Sequence, residues 1–163
     1  MCIRDSAPTV GAEASYKNVY GEPLESCSSE GMALTGYTRN GSCVDRQDDH
    51  GSHHVCINLS SASGGNFCQV TGQPNWCSST NMPCHDNSTS PKCAIEHWCV
   101  CEWAFARYIE RAGGCDRIQT IECKAINQLV LKAYQEQNMQ QALECLVERC
   151  GLNEQHLVVT DHV

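Results

Sequence analysis

Residues 96–114 read EHWCVCEWAFARYIERAGG. Trp98, Cys101, Phe105, Ile109 and Ala112 recur at steps of three and four, which puts them on one face of a helix, and Gly113-Gly114 stops it. Downstream, Ile118, Ile121, Ala125, Leu129 and Ala133 form a second stripe behind Asp116 and Gln119, a pair at capping-box spacing. Asn138 with Gln141 repeats that start signal before a third stripe of Leu143, Leu146, Val147 and Cys150, closed by Gly151. The expectation is three amphipathic helices near 97–112, 117–137 and 139–150, with residues 152–163 as a frayed tail.

Upstream the pattern changes. Residues 16–57 are turn-rich: Gly21 and Pro23 break NVYGEPLESC (18–27), Asn40-Gly41 suggests a hairpin within TGYTRNGSC (35–43), and His53–Leu59 alternates like a strand. Residues 58–93 are rich in Ser, Asn, Gly and Pro and carry Cys68, Cys77, Cys84 and Cys93 at near-even intervals. Unlinked, that stretch buries too little to order itself, so it reads as a cross-linked insert. The fold class expected is therefore α+β: one cysteine-rich domain over 16–151, its turn-rich N-terminal block with short strands packed on about three C-terminal helices.

Composition agrees with a cross-linked domain. Leu, Ile, Val and Phe supply 29 of 163 residues, about 18%, a thin apolar complement. Fourteen cysteines offset it, and none stands in a Cys-x-x-Cys pair, which removes the zinc-ribbon and thioredoxin patterns. The net charge is −8 with no Lys/Arg cluster, which argues against nucleic acid or an anionic membrane as partner, and no apolar run reaches the length of a membrane span. Met1–Ser6 (MCIRDS) matches the translation of a transposon-end adapter used in sequencing libraries, so Cys2 is set aside. Residues 7–15 read as a linker or a signal-peptide remnant, Ala12-Glu13-Ala14 having the form of a cleavage site.

NVYGEPLESC, TGYTRNGSC, GSHHVC (51–56) and WCVC (98–101) occur in an order that resembles the family catalogued as domain of unknown function 2237. The resemblance covers 18–56 and 98 to about 133. It implies no assigned chemistry, but it sorts the cysteines. Cys27, Cys43, Cys56, Cys99 and Cys101 fall at motif positions. Cys68, Cys77, Cys84, Cys93, Cys115, Cys123, Cys145 and Cys150 fall in the insert and the helices, an even number suited to four disulfides. Short family members look like bacterial cytoplasmic proteins, where disulfides are rare, so the five shared cysteines would have a role older than stapling. The resemblance also suggests a short strand at Ile118–Ile121.

Three functional readings follow. The leading one is an exported, disulfide-stabilised binding or structural domain without a catalytic site. The second is a structural zinc held by Cys43, His53, Cys56 and Cys99 or Cys101, zinc being the one cofactor the residues suggest. On a helix, residues two apart point about 200° from each other, so Cys99 and Cys101 bind one ion only from extended backbone. The third is a thiol oxidoreductase using Cys56 beside His53. His50, His53 and His54 beside Asp45, Asp48 and Asp49 read as a solvated loop or a weak metal site. Trp76 reads as a recognition aromatic or as packing against a disulfide. Asn40-Gly41-Ser42, Asn58-Leu59-Ser60 and Asn87-Ser88-Thr89 fit the glycosylation sequon. Cys145 and Cys150, about 140° apart on one helix, need partners elsewhere, with Cys123 a candidate for one of them.

Overall fold

Two short strands rich in β-branched, aromatic and sulfur side chains form the centre of the domain. In the computed structural model, which describes residues 16–59, 66–85 and 92–159, β1 (Val55–Asn58) pairs antiparallel with β2 (His97–Val100). The register sets Val55 opposite Val100, Cys56 opposite Cys99 and Ile57 opposite Trp98. A single bridge from Ile57 to Ile121 is all that forms of the strand suggested at 118–121.

The described residues form four helices: α1 (Phe67–Thr71), α2 (Glu102–Ala112), α3 (Leu129–Glu136) and α4 (Gln140–Cys150). The first helix begins at Glu102, not at residue 97, because the ladder claims His97–Val100. Gly113, at φ 97°, ends α2 in the left-handed region and returns its N–H to Ile109 and Glu110. The second helix is shorter than its stripe. Backbone groups of residues 120–128 bond to the N-terminal half: Thr120 O to Asn58 N, Glu122 N to Cys56 O, Ile126 O to Val19 N, Asn127 N to His54 O and Gln128 N to Lys17 O. Groups spent in this way cannot form an i→i−4 ladder, so 117–128 carries only single 3-10 turns and α3 starts at Leu129. Asp116 and Gln119 therefore cap no helix, and Asn138 lies at φ 55° between α3 and α4, with Met139 as the residue before α4.

Two further expectations change. No hairpin forms at Asn40-Gly41; the Gly41 carbonyl instead accepts the N–H of Cys27 and of Ser28 at 2.8 and 3.1 Å. The 153–159 segment is not loose. Leu157 and Val159 pack on the core, and Gln135 donates to the Leu157 carbonyl.

Six disulfides tie these parts together: Cys27–Cys56, Cys43–Cys99, Cys68–Cys77, Cys84–Cys93, Cys115–Cys145 and Cys123–Cys150. Cys145, expected to need a partner on another element, is bonded to Cys115 from the turn after α2 and is 1% exposed. Phe67, Phe105, Tyr108, Ile109, Leu131, Tyr134 and Leu146 fill the centre. No described helix is long and apolar enough to cross a membrane. Residues 1–15, with the adapter and linker assignments, and the Asn87-Ser88-Thr89 sequon lie outside the described residues.

Candidate functional site

The ladder ends at the Val55–Val100 pair, and beyond that end the chain brings two loops together. On one side lies the turn Asp49–His54, just before β1. On the other, Cys101 follows β2 and is the N-cap of α2, with extended backbone (φ −61°, ψ 144°). Ser52, in the left-handed region at φ 48°, joins the two sides: its carbonyl accepts His54 N–H at 2.8 Å and Glu102 N–H at 3.2 Å.

Three buried side chains line up across this junction. Cys101 Sγ lies 3.1 Å from His53 Nε2, and His53 Nδ1 lies 2.7 Å from Asp49 Oδ1. Cys101 is the one described cysteine outside a disulfide. Asp49 is fixed by its own turn, its oxygens accepting the backbone N–H of Gly51 at 3.1 Å and of His53 at 2.9 Å. Burial raises the cost of the Asp49 charge, yet the bonds from the His53 ring, the backbone amides and the nearby imidazole prevail and hold its carboxyl below the usual range. Tyr37 stacks on the His53 ring at 5.7 Å between centroids and 21° between planes. An Asp49 carboxylate beside Nδ1 favours the tautomer with its proton there, which leaves Nε2 facing the sulfur.

A second charged layer supports the first. Buried His54 contacts Glu102 Oε1 at 2.7 Å and Asp45 Oδ1 at 3.0 Å. Burial opposes an imidazolium there, but the hydrogen bonds and charges of the two carboxylates outweigh it and lift its pKa to about 9. Hydrogen bonding to His54 in turn lowers Asp45. Tyr134 donates to the Glu102 carbonyl at 2.6 Å, tying α3 to the start of α2. The run of histidines and aspartates is thus largely an interior network, not a solvated loop: Asp49, His53 and His54 are all buried.

Cys101 and His53 open on a cavity of about 320 Å³. Its walls are Phe67, Trp76, Met82, Trp98 and Trp103, with the Arg39 guanidinium at one side. Trp76 packs 6.1 Å from Phe67 and 5.6 Å from Trp98, and Arg39 lies 4.8 Å over the Trp98 ring. Trp103, 42% exposed, is one of two large apolar side chains of the described residues left open to solvent. Trp76, next to Cys77 in the chain, lines the cavity.

The zinc set inferred from sequence divides in two. His53 and Cys101 face each other at the ladder's end. Cys43, Cys56 and Cys99 lie at its middle with Cys27, bonded as Cys27–Cys56 and Cys43–Cys99. The strand register imposes this division, since Cys56 and Cys99 pair directly while His53 precedes β1 and Cys101 follows β2. Cys56, taken as the oxidoreductase thiol, is bonded to Cys27, and the thiol beside His53 is Cys101. The eight remaining candidates pair among themselves. Sequence reasoning missed the alignment of Asp49 with His53 and Cys101 and the His54–Glu102–Asp45 layer. The available signal was Asp49-x-x-x-His53, a spacing that lets a tight turn close onto itself.

The family described as uncharacterized protein conserved in bacteria, DUF2237, matches residues 17–143, and the chain belongs to it. No curated protein matches the chain. The matched range contains Asp49, His53, Cys101 and the four ladder cysteines, and ends within α4 before Cys145 and Cys150.

Proposed function

We propose that this member of the DUF2237 family is a cysteine nucleophile enzyme acting on acyl compounds, with Cys101 as nucleophile, His53 as general base and Asp49 as the residue orienting it. The observation that carries the proposal is the continuous contact from Cys101 Sγ to His53 Nε2 to Asp49 at the wall of an apolar cavity. His53 takes the thiol proton, and the thiolate–imidazolium pair is favoured by the positive end of α2, whose N-cap is Cys101 itself. The thiolate adds to an acyl carbon, His53 returns the proton to the leaving group, and water then releases the acyl group from sulfur. First-turn helix amides lack an intrahelical acceptor, so those of Trp103 and Ala104, both residues at the cavity, are the candidate donors to the oxyanion. The walls suit a bulky aromatic or branched aliphatic acyl group. Arg39 is the only charged side chain among the described lining residues outside the His53 pair, which favours neutral or anionic substrates over cationic ones.

The test is covalent labelling of the oxidised protein with an activated aryl ester, read by intact mass and peptide mapping. The expected result is one acyl group per chain on Cys101, lost in Cys101→Ser and at least 100-fold slower in His53→Ala. Labelling no faster than that of a simple thiol peptide overturns the proposal. A second reading, non-covalent ligand binding, draws on the 4% exposure of Cys101. Under it, an aromatic ligand quenches Trp emission while Cys101 stays unmodified.

We further infer an oxidising, extracytoplasmic compartment for the disulfide-bonded chain. Six disulfides within the described residues support it, because thiol pools of the cytoplasm keep such bonds reduced.

A further inference from the structure

The two disulfides at the ladder are neighbours. The sulfurs of Cys27, Cys43 and Cys99 all lie within 4.8 Å of one another, and Cys56 is bonded to Cys27. All four side chains are buried, at 2% exposure or less. We infer that Cys27, Cys43, Cys56 and Cys99 form, when reduced, a closed tetrathiolate site for one zinc ion, distinct from the Cys101–His53 pair.

The geometry suits such an ion. Four thiolates at about 2.3 Å from zinc stand about 3.8 Å from each other in a tetrahedron. Three of the four sulfurs already lie within 4.8 Å of one another, and the fourth, Cys56, is bonded to one of them, so side-chain rotation after reduction brings the set toward that value. The backbone is held independently of sulfur. Cys56 and Cys99 face each other across the ladder. Cys27 N–H is bound to the Gly41 carbonyl at 2.8 Å, and Asn127 Nδ2 donates to the Cys43 carbonyl at 3.1 Å. All four thiols belong to the buried core, an environment like that of a structural site. The Cys-x-x-Cys knuckle absent from the sequence is unnecessary, because strand pairing supplies two adjacent ligands and the backbone bond from Cys27 to Gly41 brings the loop of Cys43 beside Cys27. A soft four-sulfur set selects zinc over hard cations.

The conversion balances as follows. Each disulfide accepts two electrons and two protons from a dithiol, which leaves as its own disulfide. The four cysteine thiols then lose four protons as Zn²⁺ binds, giving a site of net charge −2. Oxidation runs the sequence backward and releases the ion.

The experiment uses the whole chain, reduced with a phosphine that becomes its oxide, then titrated with Zn²⁺ and separately with Co²⁺ as a spectroscopic substitute. We expect one ion retained per chain after gel filtration, a cobalt spectrum of tetrahedral four-thiolate type, and Cys27, Cys43, Cys56 and Cys99 protected by zinc from alkylation while the other cysteines label. Cys101→Ser and His53→Ala keep both stoichiometry and spectrum, whereas Cys43→Ser weakens retention at least tenfold. No retained zinc, retention undiminished in Cys43→Ser, or protection of a different cysteine set overturns the inference. The alkylation footprint is read on the wild-type chain, so it decides the matter even where Cys43→Ser fails to fold.

Discussion

The strand ladder and the periphery both hold cysteine, on different terms. At the ladder, Cys27–Cys56 and Cys43–Cys99 join segments 29 and 56 residues apart and sit beside the one described thiol left reduced. At the periphery, Cys68–Cys77 and Cys84–Cys93 each span 9 residues, and Cys115–Cys145 and Cys123–Cys150 fasten α4 to the turns before it. The ladder sulfurs are surrounded by backbone hydrogen bonds that fix the same geometry without them. The peripheral segments have backbone hydrogen bonds of their own, such as those between Met82 and Cys93 and those within α4, but they lie outside the two-stranded ladder. On the proposed reading the chemistry belongs to sulfur at the ladder, and sulfur outside it restricts the unfolded chain.

The strongest way to break this contrast is through His53. In the disulfide-bonded protein, His53→Ala should slow acylation of Cys101 about 1000-fold, the size of effect a positioned base supplies, with the urea midpoint of the helical part little changed. Asp49→Asn should slow it less, by disturbing the orientation of the ring. If both variants label at the wild-type rate, the ladder end carries no activated thiol. Next in size, the Cys43→Ala/Cys99→Ala pair removes the longest loop closure and should cost about 4 kcal/mol in urea unfolding. A loss no greater than that from a 9-residue bridge would show that the ladder disulfide constrains little.

Much of this was legible in the sequence, and the limits have physical causes. The helical stripes marked α4 and the C-terminal end of α2 closely, because glycine stops both, while α2 begins five residues later than its stripe suggests, after β2. The stripe over 117–137 misled because its period is compatible with a helix, while its backbone groups bond to residues 17, 19, 54, 56 and 58. No local pattern reveals partners 60 or more residues distant. The same holds for the site. Cys101 and His53 lay among the candidate residues, but the choice of Cys101 over Cys56 depends on strand register. Glu102 became a partner of His54 only once β2 had set α2 beside the Asp49–His54 turn.

The His54 layer offers a gentler test. Its folded pKa of about 9 stands above the 6.5 of an unperturbed histidine, so its contribution is complete below pH 6.5 and is lost as pH rises through about 9. At 1.36 kcal/mol per pKa unit the contribution is about 3 kcal/mol. Urea midpoints of the oxidised protein should fall between pH 6.5 and 9.5, and His54→Gln should flatten that slope at a lower overall stability. An equally steep slope in His54→Gln assigns the effect to other groups.

The smallest expected effect isolates the periphery. Cys84–Cys93 closes 9 residues, and Met82 and Cys93 already exchange backbone hydrogen bonds at 3.2 and 2.7 Å. Cys84→Ala/Cys93→Ala should therefore cost about 2.5 kcal/mol at most, the loop-closure share for that length. Acylation of Cys101 by a small ester should keep its wild-type rate, since Cys84 and Cys93 bond to each other, while Cys101 contacts His53 and His53 contacts Asp49. Met82 and Ile95 flank this bridge and line the cavity. A slower reaction confined to bulky esters would extend the functional region into the insert, and an equal slowing for small ones would erase the distinction between ladder and periphery.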